Sequence, residues 1–247
     1  MALLVDIEKC FGQFMLRVRL NAENEVLGLV GKSGCGKSLT LKCIAGIEKP
    51  DRGKIVLDGV TLFDSENHVN LTPQKRRTGL LFQNYALFPN MTVQQNIRAG
   101  TLRDQQTEKE RKRKVLDIME SFGLSDVAGH FPRQLSGGQQ QRTALARILV
   151  SEPQILMLDE PFSALDSELK FHMEAEVRDV IRRFGKTAIF VSHDRGEAYR
   201  LSDRIAMMQD GRVDHILSKE EWLLESNSVI ISTDSIPQNV ILVPKES

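Results

Sequence analysis

Residues 31–38 read Gly-Lys-Ser-Gly-Cys-Gly-Lys-Ser and meet the phosphate-loop pattern G-x-x-x-x-G-K-[ST] at every fixed position. Such a loop works through its backbone. Its glycines let N–H groups approach phosphate oxygens closely, and the following helix adds positive potential at its N-terminus. Gly31, Lys32, Ser33, Gly34, Cys35 and Gly36 are expected to form the cradle, with Leu39 just beyond it in the helix. Lys37 is placed to reach the β- and γ-phosphates of ATP, and the Ser38 hydroxyl to ligate Mg²⁺. A second acidic element lies far downstream. Asp159 and Glu160 follow the apolar run Ile155–Leu158. Two acids at the carboxyl end of a buried parallel strand sit where such sheets bind ligands. A buried carboxylate needs a cation or a hydrogen-bonding partner. Beside Mg²⁺ and ATP, Asp159 suits a metal shell and Glu160 suits polarising an attacking water. A third signal is Leu135-Ser136-Gly137-Gly138-Gln139, a glycine-rich turn opening a helix to Val150. Its N-terminus is another anion-facing device.

These residues need scaffolding, and the surrounding pattern supplies it. Val26–Val30 is a short apolar strand before the loop, and Leu39–Ala45 is helix-compatible. Phe14, Leu16, Val18 and Leu20 alternate onto one face, predicting an antiparallel strand that pairs with Leu3–Ile7 across a turn at Gly12. Asp58-Gly59 marks a further hairpin between Lys54–Leu57 and Val60–Phe63. Residues 84–150 read as mostly helical. Within them Thr107 and Glu110 form a capping box, Val115, Ile118, Met119 and Phe122 a stripe, and Gly123 a stop. The dense charges of Lys109–Lys114 read as a solvated face. Ile155–Leu158, a helix over Ser167–Phe184 and the apolar run Thr187–Val191 form a strand–helix–strand unit with parallel strands. The fold class is therefore α/β, with an antiparallel β subdomain and a helical subdomain.

Composition excludes some functions. Lys+Arg 33 balances Asp+Glu 33 in 247 residues, which removes a net-charge argument for nucleic acid as partner. No apolar run approaches the ~20 residues of a membrane span, and the N-terminus lacks a signal-peptide pattern. Cys10, Cys35 and Cys43 show no paired spacing and read as reduced thiols.

Taken together, Gly31–Ser38, Leu135–Gln139 and Asp159–Glu160 resemble an ATP-binding cassette (ABC) transporter ATPase, in order and spacing from about Leu3 to Val213. The resemblance implies further roles. Ser163-Ala164-Leu165-Asp166 looks like the D-loop, His193 like the switch histidine, and Gln83 like the Q-loop glutamine that meets the metal. Phe11 sits where the family stacks an aromatic ring on adenine. It implies a head-to-tail homodimer in which Ser136–Gln139 of one copy closes ATP against the other's phosphate loop. It also implies membrane permease subunits, a solute-binding protein supplying them, and a place at the cytoplasmic face of the membrane. Leu81–Val93 is similar to the segment with which importer ATPases meet their permease, and its Tyr85, Leu87, Phe88 and Met91 read as exposed apolar residues there. The chain looks most like importers of molybdate, sulfate, iron or polyamines, molybdate first; a soluble, non-transporting ABC ATPase is the remaining alternative. The cassette is expected over residues 1–225, with 226–247 a short tail that leaves no room for the family's regulatory β-barrel.

Overall fold

The computed structural model describes residues 2–101, 107–163 and 167–230, with backbone alone for 167–169 and 225–230. Eleven strands form one sheet. The antiparallel part contains β1 (Ala2–Phe11), β2 (Phe14–Glu23), β4 (Arg52–Leu57), β5 (Val60–Asp64) and β6 (Val69–Asn70). The parallel part contains β3 (Val26–Val30), β7 (Thr78–Leu81), β8 (Ile155–Asp159), β9 (Ala188–Ser192) and β10 (Arg204–Gln209), with β11 (Arg212–Ser218) returning antiparallel to β10. The order is β6-β5-β4-β1-β2-β11-β10-β3-β9-β8-β7.

Local chemistry accounts for much of this. In β2 the alternation places Leu16, Val18, Leu20 and Ala22 in the core and the residues between them in solvent. Its partner β1 extends beyond the expected Leu3–Ile7, pairing in register from Ala2↔Glu23 to Phe11↔Phe14. Asp58 and Gly59, with φ 50 and φ 78, make the two-residue turn between β4 and β5. The antiparallel strands are not a separate sheet. Arg212 of β11 pairs in parallel with Arg17 of β2, and the Arg17 N–H donates to the Gly211 carbonyl at 2.7 Å, which welds the two halves.

The helices are α1 (Lys37–Ala45), α2 (Val93–Ala99), α3 (Glu108–Ser121), α4 (Gly137–Leu149), α5 (Ser167–Phe184), α6 (Arg195–Leu201) and α7 (Lys219–Ile230). The capping box at Thr107 and Glu110 opens α3, whose Val115 and Met119 are buried with Val93 and Ile97 of α2. The stretch 84–92, expected within the mostly helical region, is irregular. It is held by buried Asn96, which donates to the carbonyls of Phe88, Met91 and Thr92 at 3.0–3.2 Å. The C-terminal end of α1 is held by Arg76, 1% exposed, whose guanidinium donates to the carbonyls of Cys43 and Ile44 at 2.8 and 2.9 Å. All three cysteines are free, and burial pushes the Cys43 thiol up to about 12, which leaves it unreactive. Among the described residues no helix is long and apolar enough to cross a membrane.

Candidate active site

Four adjacent parallel strands, β3, β9, β8 and β7, deliver every central residue at their carboxyl ends. β3 runs into the loop 31–36, β9 ends at Ser192 before His193, β8 ends at Asp159 before Glu160, and β7 is followed by Phe82 and Gln83. This is the edge at which parallel sheets bind ligands.

The loop is shaped by its glycines for different reasons. Gly34 and Gly36 have φ of 81 and 106, a region side chains avoid. Gly31 is glycine because β10 lies against it: a Cβ there would stand 2.2 Å from the Met208 carbonyl oxygen. Cys35 is buried with its thiol against Gly31, so it can serve the cradle only through its backbone. The first helical hydrogen bond of α1 runs from the Thr40 N–H to the Gly36 carbonyl at 2.9 Å. The N–H groups of Lys37, Ser38 and Leu39 precede it and have no acceptor within the helix. Thr92, Thr107, Ser136 and Asp194 cap the N-termini of α2, α3, α4 and α6 with side-chain oxygens. α1 has no side-chain cap and no acid in its first turn. Its positive end opens on a cavity of about 570 Å³ lined by Phe11, Phe14, Ser33, Gly34, Gly36, Lys37, Ser38, Leu39, Lys42, Glu48, Gln83 and Glu160.

Lys37, 4% exposed, donates to the carbonyls of Gly31 and Lys32 at 2.8 and 3.1 Å and stands 3.8 Å from Glu160 Oε1. The other Glu160 oxygen faces His193 Nδ1 at 3.4 Å. Glu160 itself has φ 45, a conformation that costs about 1–3 kcal/mol for a side-chain-bearing residue. Hydrogen bonds impose it: the Glu160 N–H donates to the Val191 carbonyl at 3.0 Å, and the Ser163 hydroxyl donates to the Glu160 carbonyl at 3.0 Å. Gln83 Nε2 donates to that Ser163 hydroxyl at 2.9 Å, so Gln83 connects to Glu160 through one side chain.

Ser38 Oγ donates to Asp159 Oδ1 at 2.8 Å. Burial holds the Asp159 carboxyl above its ordinary range, the Ser38 bond opposes this, and neighbouring Glu160 adds to it. A raised carboxyl favours the protonated form in the fold, so the contribution of Asp159 to the stability of the nucleotide-free protein falls as pH rises above the ordinary aspartate range. Asp159→Asn removes that penalty. Its thermal midpoint without nucleotide should exceed wild type by about 2 °C at pH 7.5, the gap closing towards pH 4. A wild-type midpoint that is the higher of the two at pH 7.5 would contradict the burial argument.

Mg²⁺ fits this donor set. Ser38 Oγ, the Gln83 amide oxygen and the Asp159 carboxylate are hard oxygen donors, and Mg²⁺ takes few protein ligands beside substrate phosphates. Among the described residues no group of three or more His, Cys, Asp or Glu could hold a metal alone.

Not every expected residue converges here. Ser136–Gln139 lie outside the lining of the cavity. Ser136 is exposed at the start of α4, where its hydroxyl accepts the Gln139 N–H at 3.3 Å while Gln139 Oε1 accepts the Ser136 N–H at 2.9 Å. Phe11, 60% exposed, stands at the cavity rim. Of the D-loop resemblance only Ser163 is seen; 164–166 lie outside the described residues.

Sequence reasoning missed Phe14, Lys42 and Glu48 in the lining, Ser163 as the link, and the clamp behind His193. There Lys170 of α5 bridges Asp194 at 3.0 Å and Glu197 at 2.5 Å, while the buried Ser192 hydroxyl donates to Glu197 at 2.5 Å. The spacing Ser192-His193-Asp194-x-x-Glu197 was the available signal for a capped turn.

The arrangement combines an uncapped helix end open to a cavity, a buried lysine, a hydroxyl–carboxylate pair and a glutamate held between that lysine and a histidine. Its sequence matches the ABC transporter family over residues 17–163, and the chain belongs to that family. It is 45% identical over 208 residues to the spermidine/putrescine import ATP-binding protein PotA of Nitratidesulfovibrio vulgaris, covering 84% of this chain and 55% of that protein. It is 38% identical over 222 residues to the probable sulfate/thiosulfate import ATP-binding protein CysA of Chlorella vulgaris, covering 89% of this chain and 92% of that one. Against several relatives, PotA among them, the chain spans only about half of their length. In three dimensions it resembles the ATP-binding cassette MJ0796, solved as a dimer in a post-hydrolysis state with ADP and Pi. The TM-score is 0.72 at 31% identity, covering 89% of this chain and 99% of the other.

Proposed function

We propose that this chain is the ATP-hydrolysing motor subunit of an importer, acting as a head-to-tail pair at the cytoplasmic face of the membrane. The observation that carries the reading is the uncapped N-terminus of α1 opening on the cavity that Lys37 and Glu160 share. The loop N–H groups and Lys37 bind the phosphates, and Phe11 at the rim stacks on the base. Ser38, Gln83 and Asp159 would hold Mg²⁺, which would neutralise charge on the phosphates. Glu160 orients and polarises the attacking water, and His193 fixes Glu160 and the terminal phosphate oxygens. Both the PotA and the CysA relatives are named import ATP-binding proteins, which supports the importer class.

A permease contact is supported by a second groove of about 320 Å³ between sheet and helices, lined in part by Ile47, Gly79, Phe88, Gly100 and Arg147. Phe88 is 45% exposed, with the Arg147 guanidinium 5.1 Å above its ring. Arg147 also donates to the carbonyls of Tyr85 and Ala86 at 3.0 and 2.8 Å, stapling the segment that begins at Gln83. Tyr85 reads from sequence as exposed and apolar; it is 6% exposed, and its hydroxyl points at the Pro161 carbonyl. Tyr85 is therefore core, and Phe88 is the docking residue. A permease segment seated there would feel movement of Gln83 when the γ-phosphate leaves.

For the solute we propose an oxyanion of the sulfate or molybdate kind, supported by the sulfate/thiosulfate relative covered over nearly its whole length. The polyamine alternative draws on the higher identity of PotA. Co-expression with candidate importer permeases, followed by uptake of labelled molybdate, sulfate and spermidine into vesicles, separates these. Phe88→Glu should abolish co-purification and reduce uptake to background while the isolated subunit keeps its ATPase. Loss of that ATPase along with uptake would make Phe88 a packing residue.

A further inference from the structure

We propose that this chain carries a second anion site, for a small tetrahedral oxyanion such as sulfate or phosphate, at the opposite edge of the sheet from the nucleotide cradle. The cavity there measures about 270 Å³. Val26 opens β3, Lys186 lies just before β9, and Asp203 just before β10, so three parallel strands present their amino ends to it. The C-terminal halves of α5 and α6 close it with Arg178, Arg182 and Arg200.

The charge balance there favours an anion. Arg178, Arg182, Lys186, Arg200 and Lys219 line the space against two carboxylates, Glu25 and Asp203. Both carboxylates are engaged elsewhere. Glu25 pairs with Arg204 at 2.9 Å, and Asp203 accepts the Val26 N–H at 2.8 Å. Arg200 is matched by a bidentate pair with Glu174 at 2.6 and 2.9 Å. Lys186 donates to the Pro153 carbonyl, and Lys219 lies over the Tyr199 ring. That leaves Arg182, which is exposed, and Arg178. The Arg178 Nε is buried and has no hydrogen-bond partner among the described residues. The Ser202 hydroxyl, in a residue 1% exposed, is in the same position. Buried donors without acceptors are rare and costly, and a guanidinium fork is shaped to bind an oxyanion in two places at once. The lining contains no aromatic ring on which a base could stack, so the ligand is the anion itself and not a nucleotide. The site stands independently of the transport reading.

Equilibrium dialysis with labelled sulfate tests this. The phosphate loop would also hold sulfate, so binding is measured in the Lys37→Ala protein, which should retain one site per chain. Adding Arg178→Gln and Arg182→Gln should weaken that site roughly tenfold or more. The same pair of substitutions in the protein with Lys37 intact should leave ATP affinity unchanged, showing that the fold survives. In the unsubstituted protein, sulfate should protect Arg178 from phenylglyoxal, read by peptide mass. Absence of sulfate binding to the Lys37→Ala protein, equal affinity with and without the arginines, or unprotected Arg178 would each overturn the site. Arginine-dependent sedimentation with phosphatidylglycerol vesicles, without free sulfate binding, would overturn the free oxyanion in favour of a lipid phosphate.

Discussion

Glu160→Gln should lower ATP turnover by about 10³-fold while leaving ATP affinity close to wild type. The substitution keeps shape and hydrogen-bonding capacity but removes the charge that polarises water. Position is not at stake, because the backbone sets it: the Glu160 N–H is fixed to Val191, its carbonyl to Ser163, and its φ of 45 follows from both. The carboxylate also stands between two cations or potential cations, Lys37 at 3.8 Å and His193 at 3.4 Å. Removing its charge frees Lys37 for phosphate, so ATP binding should hold or tighten, and the ATP-bound pair should accumulate. Single-turnover phosphate release and ATP-dependent dimerisation by gel filtration, measured on one preparation, check this. Phosphate release at the wild-type rate would remove Glu160 from the chemistry and leave it a structural partner of Lys37.

The parts of this site that were legible in the sequence are those whose chemistry is local. The phosphate loop is contiguous, the Asp58-Gly59 turn is set by two residues, and the capping box of α3 needs four. The alternation of β2 was equally plain, because one buried face imposes a period of two. What could not be read depends on contacts across the chain. β7 lacks alternation, and its Gly79 is required by Ile148, which a Cβ would approach to 2.4 Å. Gln83 and Ser163 are 80 residues apart, and Lys170 is 24 from Asp194. The misreading of Tyr85 has the same origin. Its segment has no regular structure to signal burial, and Arg147 and Asn96 impose its path from α4 and α2.

The position of Ser136 leads to the second large effect. Ser136–Gln139 open an exposed helix end outside the cavity that holds Lys37, so within one chain the two phosphate-facing devices do not share a ligand. The Ser136 and Gln139 side chains close on each other's N–H groups, and an anion there would draw on the N–H groups of Gly137 and Gly138. If both devices act on one ATP, a second copy must supply one of them. Lys37→Ala removes charge-assisted bonds to phosphate and should weaken ATP binding about 10–100-fold. Ser136→Arg should bind ATP at wild-type affinity, because it leaves the cradle intact, yet fail to hydrolyse it. Each variant alone should be inactive. Random pairing of equal amounts makes about half the dimers mixed, and each mixed dimer holds one site with an intact phosphate loop facing an intact Ser136. The mixture should therefore recover about a quarter of wild-type turnover, since one in four composite sites is whole. Steady-state phosphate release from the mixture, against the two variants measured separately, reads this out. A mixture no more active than the average of its components would mean that each chain hydrolyses ATP with its own residues alone.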